Sequence, residues 1–232
     1  MSHAHFDEIA SVYDESLPGH VAAHYLRKRV AFVRALCPPG SAVVDVGCGT
    51  GALAQRLAEG GYRVTGVDPS AGMLEVMRSR SPQVVAVQAS GTELPLDDDS
   101  IDLTITVAAM HHIALPDAVR QTLAEMVRVT RPGGRVLVWD HNPRNPYWSN
   151  LMARVPQDTG DERLIPAEEV MRGLTAAGAQ VLSNQQLGIV PDFTPRPALR
   201  AAAVAERLFE RAPYVRQFAA HNVIVARKRE RG

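Results

Sequence analysis

The chain has 232 residues, room for one large domain or two small ones with a substantial core. Its 25 basic and 25 acidic residues cancel, which argues against a dedicated nucleic-acid binder, and 46% hydrophobic with 22% charged residues is an ordinary globular balance. Two cysteines exclude a disulfide scaffold and a four-cysteine zinc site, no run nears the roughly 20 apolar residues of a membrane span, and the polar start (His3, His5, Asp7, Glu8) is unlike a signal peptide, so a reducing cytoplasm is expected.

Residues 1–38 read as a polar, mostly helical leader. Val21, Tyr25, Val30, Phe32, Val33 and Leu36 mark one face of a helix over 20–36, which Cys37-Pro38-Pro39-Gly40 stops. A short apolar strand, 42–46, ends in the loop Gly47-Cys48-Gly49-Thr50-Gly51. A helix over 52–59 follows, then a strand over 62–67 ending at Asp68-Pro69-Ser70, where Ser70 can cap a helix to about residue 80. Strands are expected at 84–89 and 101–107, a helix at 117–129, a turn at Arg131-Pro132-Gly133-Gly134 and a fifth strand at 135–139. Alternating strands and helices predict right-handed crossovers and a parallel sheet covered on both faces. After Trp139 the rhythm breaks. Residues 141–165, rich in Pro, Asn and Arg, read as a long functional loop. A helix over 166–177, strands at 180–187 and 222–227, and a Pro-bounded insertion at 195–218 complete the chain.

The glycine loop carries the chemistry. Glycines between a strand and a helix allow a tight turn and close approach of backbone to ligand. Asp68 ends the next strand, where an acid accepts hydrogen bonds from ribose hydroxyls. The spacing is Gly-x-Gly-x-Gly rather than the dinucleotide Gly-x-Gly-x-x-Gly, and Asp45 stands two residues before the first glycine. A carboxylate there repels a pyrophosphate but attracts the amino group of an amino-acid tail. The pattern fits a nucleoside bearing such a tail better than NAD.

At these residues the chain resembles the class I S-adenosylmethionine (SAM) dependent methyltransferases, in particular the group similar to the ubiquinone/menaquinone C-methyltransferases. The matching pieces are Val44-Asp45-Val46-Gly47-Cys48-Gly49-Thr50-Gly51, Val67-Asp68-Pro69-Ser70 with Met73-Leu74, Glu93-Leu94-Pro95-Leu96 with Ser100-Ile101-Asp102, Met110-His111-His112-Ile113 and Arg131-Pro132-Gly133-Gly134. The leader segment from Phe6 to Asp14 resembles the family's cap over the cofactor. The resemblance implies a Rossmann-like, doubly wound α/β fold: a mostly parallel seven-stranded sheet with an antiparallel last strand, a helical cap and insertions. It implies one domain over 1–232, with a cap at 1–38, a SAM-binding core at 42–140, a substrate-side loop and insertion at 141–165 and 195–218, and sheet-completing segments at 166–194 and 219–228. Asp45, Gly47, Cys48 and Gly49 would lie at the methionine tail, Asp68 and Pro69 at the ribose, and Met73 at the adenine with Ser90, Gly91 and Thr92 along its edge. Ser90 replaces the acid that often receives the adenine amino group. Ala108 and Met110 would flank the sulfonium, and Tyr13 would close over the methionine.

Methyl transfer from a sulfonium needs alignment and exclusion of water, and a base only where the acceptor must lose a proton. Candidate bases are His111, His112 and His141, all leaving strands at the carboxyl edge where open α/β sheets bind ligands. No metal is expected: the adjacent His111 and His112 would diverge on extended backbone. Asn142, Arg144, Tyr147 and Trp148 combine polar, cationic and aromatic groups in one loop and are candidate acceptor contacts. The expected activity is transfer of a methyl group to the O, N or C of a small molecule in secondary or cofactor metabolism, with S-adenosylhomocysteine as product, no nucleic-acid partner, and a monomer or homodimer. An NAD(P)-dependent oxidoreductase and a SAM-binding protein that does not methylate remain as alternatives.

Overall fold

The computed structural model describes residues 3–230 except 114, 156, 159 and 161. Two helices, α1 (His3–Ile9) and α2 (Gly19–Leu36), precede β1 (Ala42–Val46), α3 (Ala52–Glu59), β2 (Arg63–Asp68), α4 (Ala71–Arg80), β3 (Val85–Gln88) and β4 (Ile101–Val107). Then come α5 (Pro116–Val129), β5 (Thr130–His141), α6 (Trp148–Met152), α7 (Ala167–Ala176), β6 (Ala179–Leu187), α8 (Leu199–Arg211), α9 (Pro213–Arg216) and β7 (His221–Lys228).

The seven strands lie in the order β3-β2-β1-β4-β5-β7-β6. The first five pair in parallel, and β7 runs antiparallel to both β5 and β6. The order reverses at β1, so the carboxyl ends of β1 and β4 open a crevice there. Strand alternation sorts the core into two layers. Val44, Val46, Val136, Val138 and Ile224 face α5 and α7, while Val43, Leu103, Leu137, Trp139, Val223 and Val225 face the side of α2, α3 and α4. β5 is longer than expected, because Thr130 already pairs with Ile101; the chain then bulges through Pro132-Gly133-Gly134, with Gly133 at φ +75°, before pairing resumes between Arg135 and Leu103. Ser70 caps α4, its side chain accepting from the Met73 N–H at 3.1 Å. Among the described residues no helix is long and apolar enough to cross a membrane.

The leader is tied to the sheet edge by two acids. Asp7 Oδ1 accepts from Ser70 Oγ (2.6 Å) and the Gly72 N–H (2.8 Å). Asp14 accepts from Thr50 Oγ1 at 2.8 Å and pairs with Arg80. The insertion packs on α2 instead of over the crevice. Glu206 of α8, 2% exposed, pairs with His24 and Lys28 and accepts from the Ile189 N–H. Its carboxyl is held below the ordinary range: burial opposes ionisation, but Lys28 and these hydrogen bonds outweigh it.

Candidate active site

A cavity of about 310 Å³ opens at the carboxyl ends of β1, β2 and β4. Of the residues expected around the cofactor, Tyr13, Gly47, Gly49, Asp68, Pro69, Met73, Ser90, Gly91, Thr92 and Ala108 line it. The leader adds Phe6, and Val46, Thr106, Ala109, His112, Ile113, Leu115, Ala118 and Thr122 complete the wall.

Local backbone explains this convergence. Gly47 sits at φ +75°, and a Cβ there would stand 2.5 Å from that of Ala109. Gly49, at φ +53°, would meet no protein atom within 4 Å, so its face is open to a ligand. Asp68 is held by the Gly49 N–H donating to Oδ2 (2.8 Å) and the Ser70 N–H donating to Oδ1 (2.9 Å). These contacts hold the carboxylate on the cavity wall, where the expected ribose contact lies. Ser90 Oγ lies 2.7 Å from Thr92 Oγ1 in an exposed turn. Ala108 takes φ +52°, a conformation that costs a non-glycine residue about 1 kcal/mol, and its N–H donates to Trp139 O at 2.8 Å. That strain sits where the expected sulfonium flank lies.

Three expected contacts lie off the cavity wall. Met110 is buried in the core beneath α5, because residues 110–112 form a 3-10 turn that swings its side chain inward. Cys48 turns its thiol toward Met77 Sδ (3.7 Å) and away from the cavity, since Gly47 and Cys48 both donate their N–H groups to Val67 O. Asp45 alternates with Val44 and Val46 and so points to the α2 side of the sheet. It is 3% exposed, and burial, with the charge of Asp68, pushes its carboxyl up to about 7 against the opposing pull of Arg29.

Arg29, on α2, is a candidate site residue that sequence reasoning missed. Its Nε is buried without a hydrogen-bond partner, and its guanidinium lies 6.0 Å from the Trp139 ring. Burial lowers its pKa, while Tyr25, Tyr13, Asp45 and Asp140 raise it. Desolvation, then Asp68, pushes the Tyr13 hydroxyl up to about 12, so it stays a neutral donor.

The histidines stack in a column. His112 lies 4.0 Å from His111, His111 lies 3.9 Å from His141, and His141 lies 3.6 Å from Trp148, measured between ring centroids. The divergence expected of His111 and His112 required extended backbone, and the 3-10 turn brings their rings together instead. His111 Nδ1 is 2.7 Å from Asp140 Oδ1, and its own N–H donates to Asp140 Oδ2 at 3.2 Å. Burial opposes its imidazolium, but Asp140, with Asp158 and Glu162, holds its pKa above the ordinary value. His112, the member on the cavity wall, is pushed down to about 3 by burial and by His111. Burial and the neighbouring charges also depress His141, whose Nδ1 has no hydrogen-bond partner. Asp158 is raised to about 6, chiefly by burial.

The candidate acceptor loop does not reach the cavity. Asn142 Nδ2 donates to Gln217 O and Ala219 O, both at 2.8 Å, and Oδ1 accepts from the Arg144 N–H. Arg144 faces outward toward Glu168. The Tyr147 hydroxyl bonds Asp192, and Trp148 Nε1 donates to Ala220 O at 2.5 Å. Their side chains fasten the loop to the sheet, and Trp148 supports the histidine column from behind.

A family model described as a methyltransferase domain matches residues 44–138. An uncharacterized methyltransferase of Mycobacterium tuberculosis is 40% identical over 120 residues, which cover 51% of this chain and 48% of that protein. The chain thus spans about half the length of that relative. A demethylmenaquinone methyltransferase of Renibacterium salmoninarum is 31% identical over 184 residues, covering 78% of this chain and 70% of the relative. In fold, a SAM-dependent methyltransferase of Thermotoga maritima superposes with a TM-score of 0.70 at 22% identity, over 97% of this chain and 99% of that one.

Proposed function

The chain belongs to the class I SAM-dependent methyltransferases, and we propose that it transfers the methyl group of S-adenosylmethionine to a small-molecule acceptor. The observation that carries this reading is the cavity at the sheet's reversal point, where Gly49 leaves an open cradle beside the Asp68 carboxylate. Bound there, SAM supplies an electrophilic methyl already activated by the sulfonium charge.

The residues present fit that cofactor. Asp68 holds the ribose, and Met73 with the Ser90–Thr92 turn borders the adenine. Arg29 offers an unpartnered buried donor for a carboxylate at the methionine end, with the Tyr13 hydroxyl as a second donor. Asp45, ionised, balances the cofactor's positive charge from behind the loop. Phe6 and Tyr13 exclude water from the crevice. The neutral His112 ring presents a nitrogen to an acceptor hydroxyl or amine, and the apolar wall of Ile113, Leu115 and Ala118 suits a small organic body. The zero net charge supports a small molecule over nucleic acid, and the relatives named for demethylmenaquinone make an electron-rich ring carbon one acceptor class.

Calorimetry with SAM, S-adenosylhomocysteine and NADH tests the cofactor. Binding of both adenosyl ligands and none of NADH is expected, and NADH binding alone refutes the reading. Mass spectrometry of turnover mixtures with a panel of phenols, amines and quinols then seeks product heavier by a single methyl together with S-adenosylhomocysteine. Product formed without S-adenosylhomocysteine favours a SAM-binding protein that does not methylate.

A further inference from the structure

At and behind the cavity wall lies a set of buried donors, of which the proposed methyl transfer engages only the His112 ring. His111, His112 and Asp158 each bring one potential ligand atom to within 4.8 Å of the others. His111 Nε2 stands 3.9 Å from Asp158 Oδ1. The Asp158 side chain is 4% exposed, and that oxygen has no hydrogen-bond partner; nor does His112 Nδ1. A buried carboxylate oxygen facing two imidazoles is costly unless a proton or a cation stands between them.

We infer that His111 Nε2, His112 and Asp158 Oδ1 form a binding site for a divalent first-row transition metal such as Zn²⁺. Two nitrogens and a carboxylate are the donor set that such ions select, and three protein ligands leave a coordination position open. Ligands on a tetrahedral zinc stand about 3.4 Å apart, so the observed 3.9 Å closes with a shift of about 0.5 Å at the Asp158 side chain. The outer shell is in place. Asp140 accepts from His111 Nδ1, which fixes the tautomer that directs Nε2 at Asp158. A second grouping, His111, Asp140 and His141, is the weaker site. Both Asp140 oxygens there already accept, one from His111 Nδ1 and the His141 N–H, the other from the His111 N–H. Because His112 also lines the cavity, a metal held there would lie beside the space where an acceptor oxygen, nitrogen or sulfur would sit.

The site is tested by metal binding, independently of turnover. Protein stripped with a chelator is titrated with Co²⁺, followed by its visible ligand-field bands, and with Zn²⁺ by competition calorimetry. A single equivalent with a tetrahedral Co²⁺ spectrum is expected. Asp158→Asn and His112→Gln each lower the affinity at least tenfold, and Asp140→Asn lowers it about 10–100-fold through the loosened His111 ring. His20→Gln, remote on α2, leaves it unchanged. Absence of a stoichiometric site in the wild-type protein overturns the proposal without any variant, as does binding that survives both ligand substitutions. S-adenosylhomocysteine calorimetry on the same stripped protein reads the cofactor site separately, so failure of the metal site and failure of the methyltransferase reading are distinguishable.

Discussion

Asp45→Asn isolates the electrostatics of the cofactor loop, because two of its effects run in opposite directions. Asp45 ionises near 3.8 without perturbation and at about 7 in the folded chain. A raised folded pKa means that the native state binds the proton more tightly than the unfolded state. The associated stability is therefore full below about pH 4 and lost as the pH climbs toward 7. A shift of about three units corresponds to roughly 4 kcal/mol at most. Asparagine keeps the shape and removes the charge. The unliganded variant should therefore gain about 2–4 kcal/mol over wild type at pH 8, roughly 5–15 °C in Tm for a chain of this size, about 1–2 kcal/mol at pH 5, and little below about pH 4.

Cofactor affinity should move the other way. The sulfonium and ammonium of SAM favour the ionised carboxylate, so wild-type affinity rises as the pH passes from 5 to 8, with proton release measurable by calorimetry in buffers of different ionisation enthalpy. The variant should lose both that pH dependence and much of the affinity at pH 8. Thermal unfolding and SAM titration across this range are the two assays. A destabilised variant at pH 8, or one whose SAM affinity follows the wild-type curve, would show that Asp45 neither carries the strain nor meets the cofactor's charge.

Asp68→Ala removes the acceptor for the Gly49 and Ser70 N–H groups and should weaken S-adenosylhomocysteine binding by about 1–3 kcal/mol, read by calorimetry; unchanged affinity counts against the ribose assignment. Arg29→Met should weaken S-adenosylhomocysteine and spare methylthioadenosine, which lacks the amino-acid tail, and equal losses for both would make Arg29 a packing residue. Glu206→Ala strips His24 and the Ile189 N–H of their buried partner and leaves Lys28 with Glu210 alone, and should cost about 3 kcal/mol, the low end for a broken buried pair, by denaturant unfolding at pH 7. Because the folded pKa of Glu206 is depressed, the penalty should shrink as the pH falls below its unfolded value, and a penalty independent of pH refutes the ion-pair account.

What the sequence made legible lies on the strands and at their ends. Buried parallel strands are short apolar runs, and the glycine loop and Asp68 leave them at the edge where this architecture binds ligands, so much of the cavity's lining could be read residue by residue. Direction was harder. Asp45 was assigned to the methionine tail by its place before the loop, but period-two alternation turns it beneath α2. Asn142, Arg144, Tyr147 and Trp148 have the composition of an acceptor site, and composition does not distinguish groups that meet a ligand from groups that fasten a loop. Arg29 was invisible for a related reason: on a polar helix among other basic residues, nothing local marks the one that turns inward.

The histidines show how far a single backbone turn can move a functional reading. With residues 110–112 extended, His111 and His112 would act separately; coiled, they join His141 and Trp148 in one stack under the cavity. Rings about 4 Å apart repel one another once protonated, so the column carries its charge at the ring that Asp140 supports. His111 is that ring, the one whose pKa is raised; burial first, and then His111, depress its neighbours. The ring that touches the cavity is thus not the ring that most readily takes a proton. An acceptor bound at His112 meets a neutral lone pair backed by a more basic neighbour, an environment fixed by the 3-10 turn and the Asp140 carboxylate more than by the identity of any one histidine.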